Sequence, residues 1–144
     1  AKGRWTSEPG PSEIKNGIKG ILIIDKFRIV ICYKNEVVEY NTKEQEVSSE
    51  CKIHTADDEI KSATKYGKKI AISTNAGRIY EYDYLSNSLS ETKCTESAIS
   101  QLQYIDSTCL SFVCDNNLYL RRRTNLGDKI TYIKDTASVK IVKI

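Results

Sequence analysis

The stretch Tyr66-Gly67-Lys68-Lys69-Ile70-Ala71-Ile72-Ser73-Thr74-Asn75-Ala76-Gly77-Arg78-Ile79-Tyr80-Glu81-Tyr82-Asp83 decides the fold. Two runs rich in β-branched and aromatic residues, Lys69 to Thr74 and Arg78 to Tyr84, flank Asn75-Ala76-Gly77. Asn and Gly supply the positive φ that a tight hairpin turn demands, so the segment reads as strand, turn, strand. Tyr66-Gly67-Lys68 is a second turn signal, which places another strand before it, Ile60 to Lys65. A more polar strand follows, Leu89 to Cys94. Four short strands thus fall in one compact run of sequence.

Working outward, the same apolar rhythm recurs. Ile18, Ile21, Ile23 and Ile29 reappear as Ile99, Leu102, Tyr104 and Leu110, each shifted by 81 residues. Ile60, Ala63 and Ile70 form a middle copy, and Val139, Val142 and Ile144 echo Ile99, Leu102 and Tyr104 after a further 40 residues. In the first copy the strands read Ile18 to Ile24, Phe27 to Tyr33, Glu36 to Asn41 and Glu44 to Ile53. In the third they read Ile99 to Ile105, Cys109 to Cys114, Leu118 to Arg123 and Lys129 to Lys134. Repeats of about 40 residues with several short strands each point to propeller blades. Each copy grades from an apolar first strand to a polar fourth, so the first strand is expected to lie deepest. No helical periodicity runs for ten residues without meeting a turn signal or a charge.

The organisation that follows is a polar arm over residues 1–16, blades over about 17–57, 58–96 and 97–136, and the inner strand of a fourth over 137–144. The arm carries Pro9-Gly10-Pro11 and one large apolar group, Trp5, as a docking anchor or a plug on its own domain.

Composition narrows the chemistry. The net charge of +3 is too small to imply nucleic acid. Its distribution is uneven: from Leu118 to Ile144 seven Lys and Arg oppose Asp128 and Asp135, and the rest of the chain is slightly acidic. A basic end suits an acidic partner. The five Cys, at 32, 51, 94, 109 and 114, form no C-x-x-C motif. Cys32, Cys109 and Cys114 sit inside apolar runs, where a thiol behaves as a small hydrophobe. That usage fits a reducing, intracellular setting, cytoplasmic or nuclear. His54 is the sole histidine, which leaves a metal site or a serine-type triad little to draw on. The longest apolar run, Gly20 to Tyr33, is broken by Asp25, Lys26 and Arg28, so no membrane span is expected. No metal, cofactor or catalytic residue is assigned.

The segment Tyr66 to Asp83 resembles the second and third strands of a WD-type propeller repeat. Gly77 stands at the turn, Ile79 at the inward position, Tyr82 where that family favours Trp, and Asp83 at its Asp. The first copy offers Val37, Tyr40 and Asn41 at those places, and the third offers Leu118, Arg121 and Arg122. The Gly-His pair of the family is missing from all copies. The resemblance implies four-stranded antiparallel blades repeated around an axis, and a scaffold that binds peptides or other domains and rarely catalyses.

Closed rings use about four to eight blades, so three and a strand are expected to be an incomplete propeller completed by other polypeptide. The partner would be another protein, the remaining blades, or a second copy. The rival architecture is a β-trefoil, which closes at three repeats and would bind carbohydrate or inhibit a protease. Candidate partner-binding residues are Trp5, the tyrosines Tyr80, Tyr82 and Tyr84 on one strand face, Arg121, Arg122 and Arg123, and the terminal Val139, Val142 and Ile144. Strand alternation puts Arg122 with Leu118 and Leu120, and points Arg121 and Arg123 the other way. Arginine forks bind phosphate and carboxylate alike. Glu39 and Glu81 recur at matching places before a Tyr and suggest a repeated structural hydrogen bond.

Overall fold

A computed structural model describes residues 16–55 and 57–133. The N-terminal arm with Trp5, and the terminal Val139, Val142 and Ile144, lie outside those residues. Every described element is a strand. They are β1 (Gly20–Ile23), β2 (Arg28–Cys32), β3 (Glu36–Asn41), β4 (Glu46–His54), β5 (Ile60–Tyr66) and β6 (Lys69–Thr74). β7 (Arg78–Asp83), β8 (Ser88–Lys93), β9 (Ser100–Asp106), β10 (Cys109–Cys114), β11 (Asn117–Thr124) and β12 (Gly127–Ile133) follow.

Each strand pairs with its neighbour in sequence. The result is three four-stranded antiparallel sheets, β1-β2-β3-β4, β5-β6-β7-β8 and β9-β10-β11-β12. Hairpin connections of a few residues dictate this, since a short loop can only fold a strand back on the one before it. No described strand pairs with a strand of another repeat, which removes the trefoil, whose barrel needs such pairing.

The chain divides into two compact units, residues 1–60 and 61–144. The first holds β1 to β4. One face of this sheet collects Ile31, Tyr33, Val38 and Val47, with Ile29 and Tyr40 against them. The opposite face buries Val30, Cys32 and Val37. The turn before β2 is held by Asp25, whose carboxylate accepts from the amides of Phe27 (2.9 Å) and Arg28 (3.0 Å) and from the Arg28 guanidinium.

In the second unit two sheets pack face to face. Ala71 and Ile79 from the sheet β5–β8 meet Ile99, just before β9, and Leu102, Leu110, Phe112 and Cys114 from the sheet β9–β12. Phe112 and Tyr119 stack across a cross-strand pair, ring centroids 5.5 Å apart. Two turns have the chemistry that their residues promise. Asp115 and Asn116 both take positive φ, as a two-residue hairpin loop requires. In Asn75-Ala76-Gly77 only Gly77 does, at φ +80°. A Cβ there would overlap the carbonyl oxygen of Thr95, because Cys94 and Thr95 both donate amides to the Gly77 carbonyl.

The expected depth gradient needs correction. The most buried strands are the second and third of the first two sheets and the second of the third, not the first: β6 and β7 bury Ile70, Ala71, Ile72, Ile79 and Tyr80, whereas β1 leaves Ile21 and Ile23 exposed. Middle strands are bonded along both edges and covered on both faces, while a first strand has one free edge. The polar fourth strands β8 and β12 are largely exposed, as their composition dictates.

Candidate functional site

Several titratable groups meet at the junction of the two sheets of the second unit. Glu81 lies in the middle of β7, opposite Ala71, on the face turned to the next sheet. From β11, Arg121 donates Nη1 to Glu81 Oε1 at 2.7 Å, and Arg123 places Nη2 3.0 Å from the same oxygen. From β9, the Tyr104 hydroxyl donates to Glu81 Oε2 at 2.7 Å. Lys69 Nζ, 3.8 Å from that oxygen, completes the shell and donates to the Ser107 carbonyl. Asp128 on β12 binds Arg123 Nε at 3.1 Å and accepts from the Thr92 hydroxyl of β8 at 3.0 Å. Strand alternation assembles the cluster: Arg121 and Arg123 share a face, and Asp128 stands opposite Arg123 in the ladder.

This is a buried ion cluster. The side chains of Glu81 and Arg121 are 4% and 1% exposed. Two carboxylates face Arg121, Arg123 and the more distant Lys69. Burial opposes the charge of Glu81, but the bonds from Arg121 and Tyr104 and the fields of Arg121 and Arg123 outweigh it, and its carboxyl sits below the ordinary glutamate value. Asp128 is likewise depressed: burial raises it, and Arg123, Thr92 and Arg121 lower it further. Burial and the Glu81 charge drive the Tyr104 hydroxyl well above its usual range. Burial lifts the Cys94 thiol to about 11, against the nearby Arg121 charge. Nε and Nη2 of Arg121 are buried with no hydrogen-bond partner.

The arginine triplet thus divides. Alternation is as the sequence implies, and Arg121 is enclosed and bonded to Glu81 of the neighbouring sheet. Arg123 is partly exposed and tied to Glu81 and Asp128. Arg122 is the exposed member, 4.0 Å from Asp106. Tyr80 is buried. Tyr82 and Tyr84 are half-buried and meet edge-on, centroids 4.8 Å apart, with the Tyr82 hydroxyl bonded to Asn87. The terminal candidates and Trp5 fall outside the described residues. Sequence reading missed Asp128, Tyr104, Thr92 and Lys69. The one available signal was the third copy itself, where Arg121 replaces the tyrosine of Tyr40 and Tyr82.

Among the described residues no group of His, Cys, Asp and Glu is arranged to hold a metal ion. Among the described residues no helix is long and apolar enough to cross a membrane.

Neither a protein-family model nor a curated protein matches this sequence. Solved structures do. The β-propeller domain of Cps50 (Swd1) from Myceliophteria thermophila superposes with a TM-score of 0.70 at 11% identity, over 83% of this chain and 40% of that one. The WD40 repeats of RRP9 superpose with a TM-score of 0.65 at 12% identity, over 86% of this chain and 40% of that one. The fold is therefore that of β-propeller blades, and the chain spans less than half the length of these neighbours.

Proposed function

We propose that this chain is a non-enzymatic protein–protein interaction scaffold, one arc of a β-propeller that works assembled with further polypeptide in a larger complex. The observation that carries the reading is the face-to-face stacking of four-stranded sheets, shared with two propellers that are each more than twice the matched length. Stacked sheets of this kind bury their faces only against further sheets, and rings close with about four to eight. The ionisable cluster supports the same reading. Glu81, Arg121, Arg123 and Asp128 neutralise one another inside a sheet junction, which is structural chemistry. Exposed Arg122 and Lys129, cross-strand neighbours on β11 and β12, supply positive charge to the outer part of the third sheet and suit a carboxylate-bearing partner.

Light scattering on the full chain tests this. The expected result is self-association, or solubility only when a partner is co-expressed. A monodisperse monomer, stable across a hundredfold concentration range and binding no protein in cross-linking experiments, would sink it.

A further inference from the structure

Each sheet ends in an outer strand whose far edge pairs with no other strand among the described residues. Such an edge is a template for a further strand, and proteins guard it with charges, bulges or brevity. The first two sheets do so. The ladder of β4 is interrupted by a register shift opposite Val38 and Glu39. β8 has six residues. The Cys94 amide donates to the Gly77 carbonyl, so Ser88, Ser90 and Thr92 turn their backbone groups to β7. Leu89, Glu91 and Lys93 turn theirs outward, and two of these three are charged.

β12 carries no such guard. Its ladder with β11 runs unbroken from Leu118–Ile133 to Thr124–Gly127. The Arg123 amide donates to the Thr108 carbonyl at 2.8 Å, so Tyr119, Arg121 and Arg123 turn their backbone groups to the β10 side. Leu118, Leu120, Arg122 and Thr124 then bond to Ile133, Thr131, Lys129 and Gly127. That leaves the amides and carbonyls of Asp128, Ile130 and Tyr132 pointing away from the sheet. Ile130-Thr131-Tyr132-Ile133 favours a strand at every position and carries no charge.

The side chains along this edge form two rows. Ile130 and Tyr132 are exposed on one face, the Tyr132 ring tilted against Tyr119 at 5.3 Å. Lys129 and Thr131 are exposed on the other, with exposed Arg122 directly across from Lys129. Among the described residues one carboxylate, Asp106 at 4.0 Å from Arg122, reaches this basic pair.

We propose that the outer edge of β12 binds an extended segment of a partner protein by strand addition, and that this segment alternates acidic and apolar residues. Main-chain bonds to Asp128, Ile130 and Tyr132 hold it. Its apolar side chains lie beside Ile130 and Tyr132, and its carboxylates beside Lys129 and Arg122. A second copy of β12 would bring another Lys129 and Arg122 to the same basic face, whereas a row of carboxylates complements it. The proposal rests on the scaffold reading and names the chemistry of the partner.

The test uses the full chain and a fluorescently labelled peptide of alternating Glu and Val. Binding is expected to slow hydrogen exchange at Ile130 and Tyr132, and a peptide with Lys in place of Glu should bind severalfold more weakly. Ile130→Pro deletes an outward amide but no β11–β12 bond, so it should weaken binding severalfold while circular dichroism stays unchanged. Lys129→Glu, an exchange at an exposed position, should reverse the preference between the two peptides. Leu89→Pro on the β8 edge should leave binding as it was. No binding of the Glu peptide, equal binding of both peptides, or binding indifferent to Ile130→Pro and Lys129→Glu overturns the proposal. Slow exchange at Ile130 and Tyr132 in the free chain also overturns it, since the edge would then be occupied by this chain or by a second copy. A chain that fails these tests yet self-associates in light scattering leaves the scaffold reading standing and removes only this edge.

Discussion

Arg121 stands where the other two copies carry Tyr40 and Tyr82, and that single exchange reshapes the junction around it. A guanidinium in that place requires a buried counter-charge, which Glu81 supplies across the interface. The pairing leaves Nε and Nη2 of Arg121 unsatisfied, at a cost of about 1–3 kcal/mol per stranded group. Removing one partner of a buried pair costs more than the pair contributes, because the remaining charge loses its nearest counter-ion and, in an alanine variant, the buried volume is emptied as well. Arg121→Ala is therefore expected to lose about 3–5 kcal/mol in urea unfolding. Arg121→Tyr restores the residue of the sister copies, and leaves Glu81 bonded to Tyr104 and Arg123. It should cost clearly less than the alanine variant. Equal losses would mean that the guanidinium, rather than the filled volume, holds the sheets together.

At the scale of elements, the hairpins carry the fold. Gly77 combines φ +80° with amides from Cys94 and Thr95 on its carbonyl, so it ties the β6–β7 turn to the strand that leaves β8. Gly77→Ala adds backbone strain of about 1–3 kcal/mol and pushes the Thr95 carbonyl away. A drop of several degrees in Tm is expected. Asn116→Gly, at a φ of 66° in an open two-residue turn, should leave Tm unchanged or raise it slightly. Hydrogen exchange should rank the strands by bonded edges and cover: slowest in β6, β7 and β10, fastest in β1 and β12. These turns and strands were legible in the sequence because each depends on a handful of neighbouring residues. The depth order of the strands was not, since apolar content tells what a strand tolerates and not which of its edges is bonded.

At the scale of the whole molecule, Glu81 and Asp128 tie stability to pH. Both titrate below their ordinary values when folded. Groups with depressed values stabilise fully above the unfolded pKa, about 4 for carboxylates, and lose that contribution as pH falls through the folded value. Unfolding midpoints should hold steady from pH 7 to about 5 and fall below about 4. In Glu81→Gln the fall should be shallower. A midpoint insensitive to acid in the parent chain would contradict the buried cluster.

Strand positions, turn chemistry, the repeat of about 40 residues and hence the propeller-blade fold were written in the chain itself. They follow from local hydrogen bonding and from side-chain alternation with a period of two. Which arginine is buried and where Glu81 finds its counter-charge were decided only in three dimensions. Glu81 and Arg121 are 40 residues apart, and their contact exists only because two sheets stack. A face is buried or open according to what lies against it, and no run of neighbouring residues encodes that.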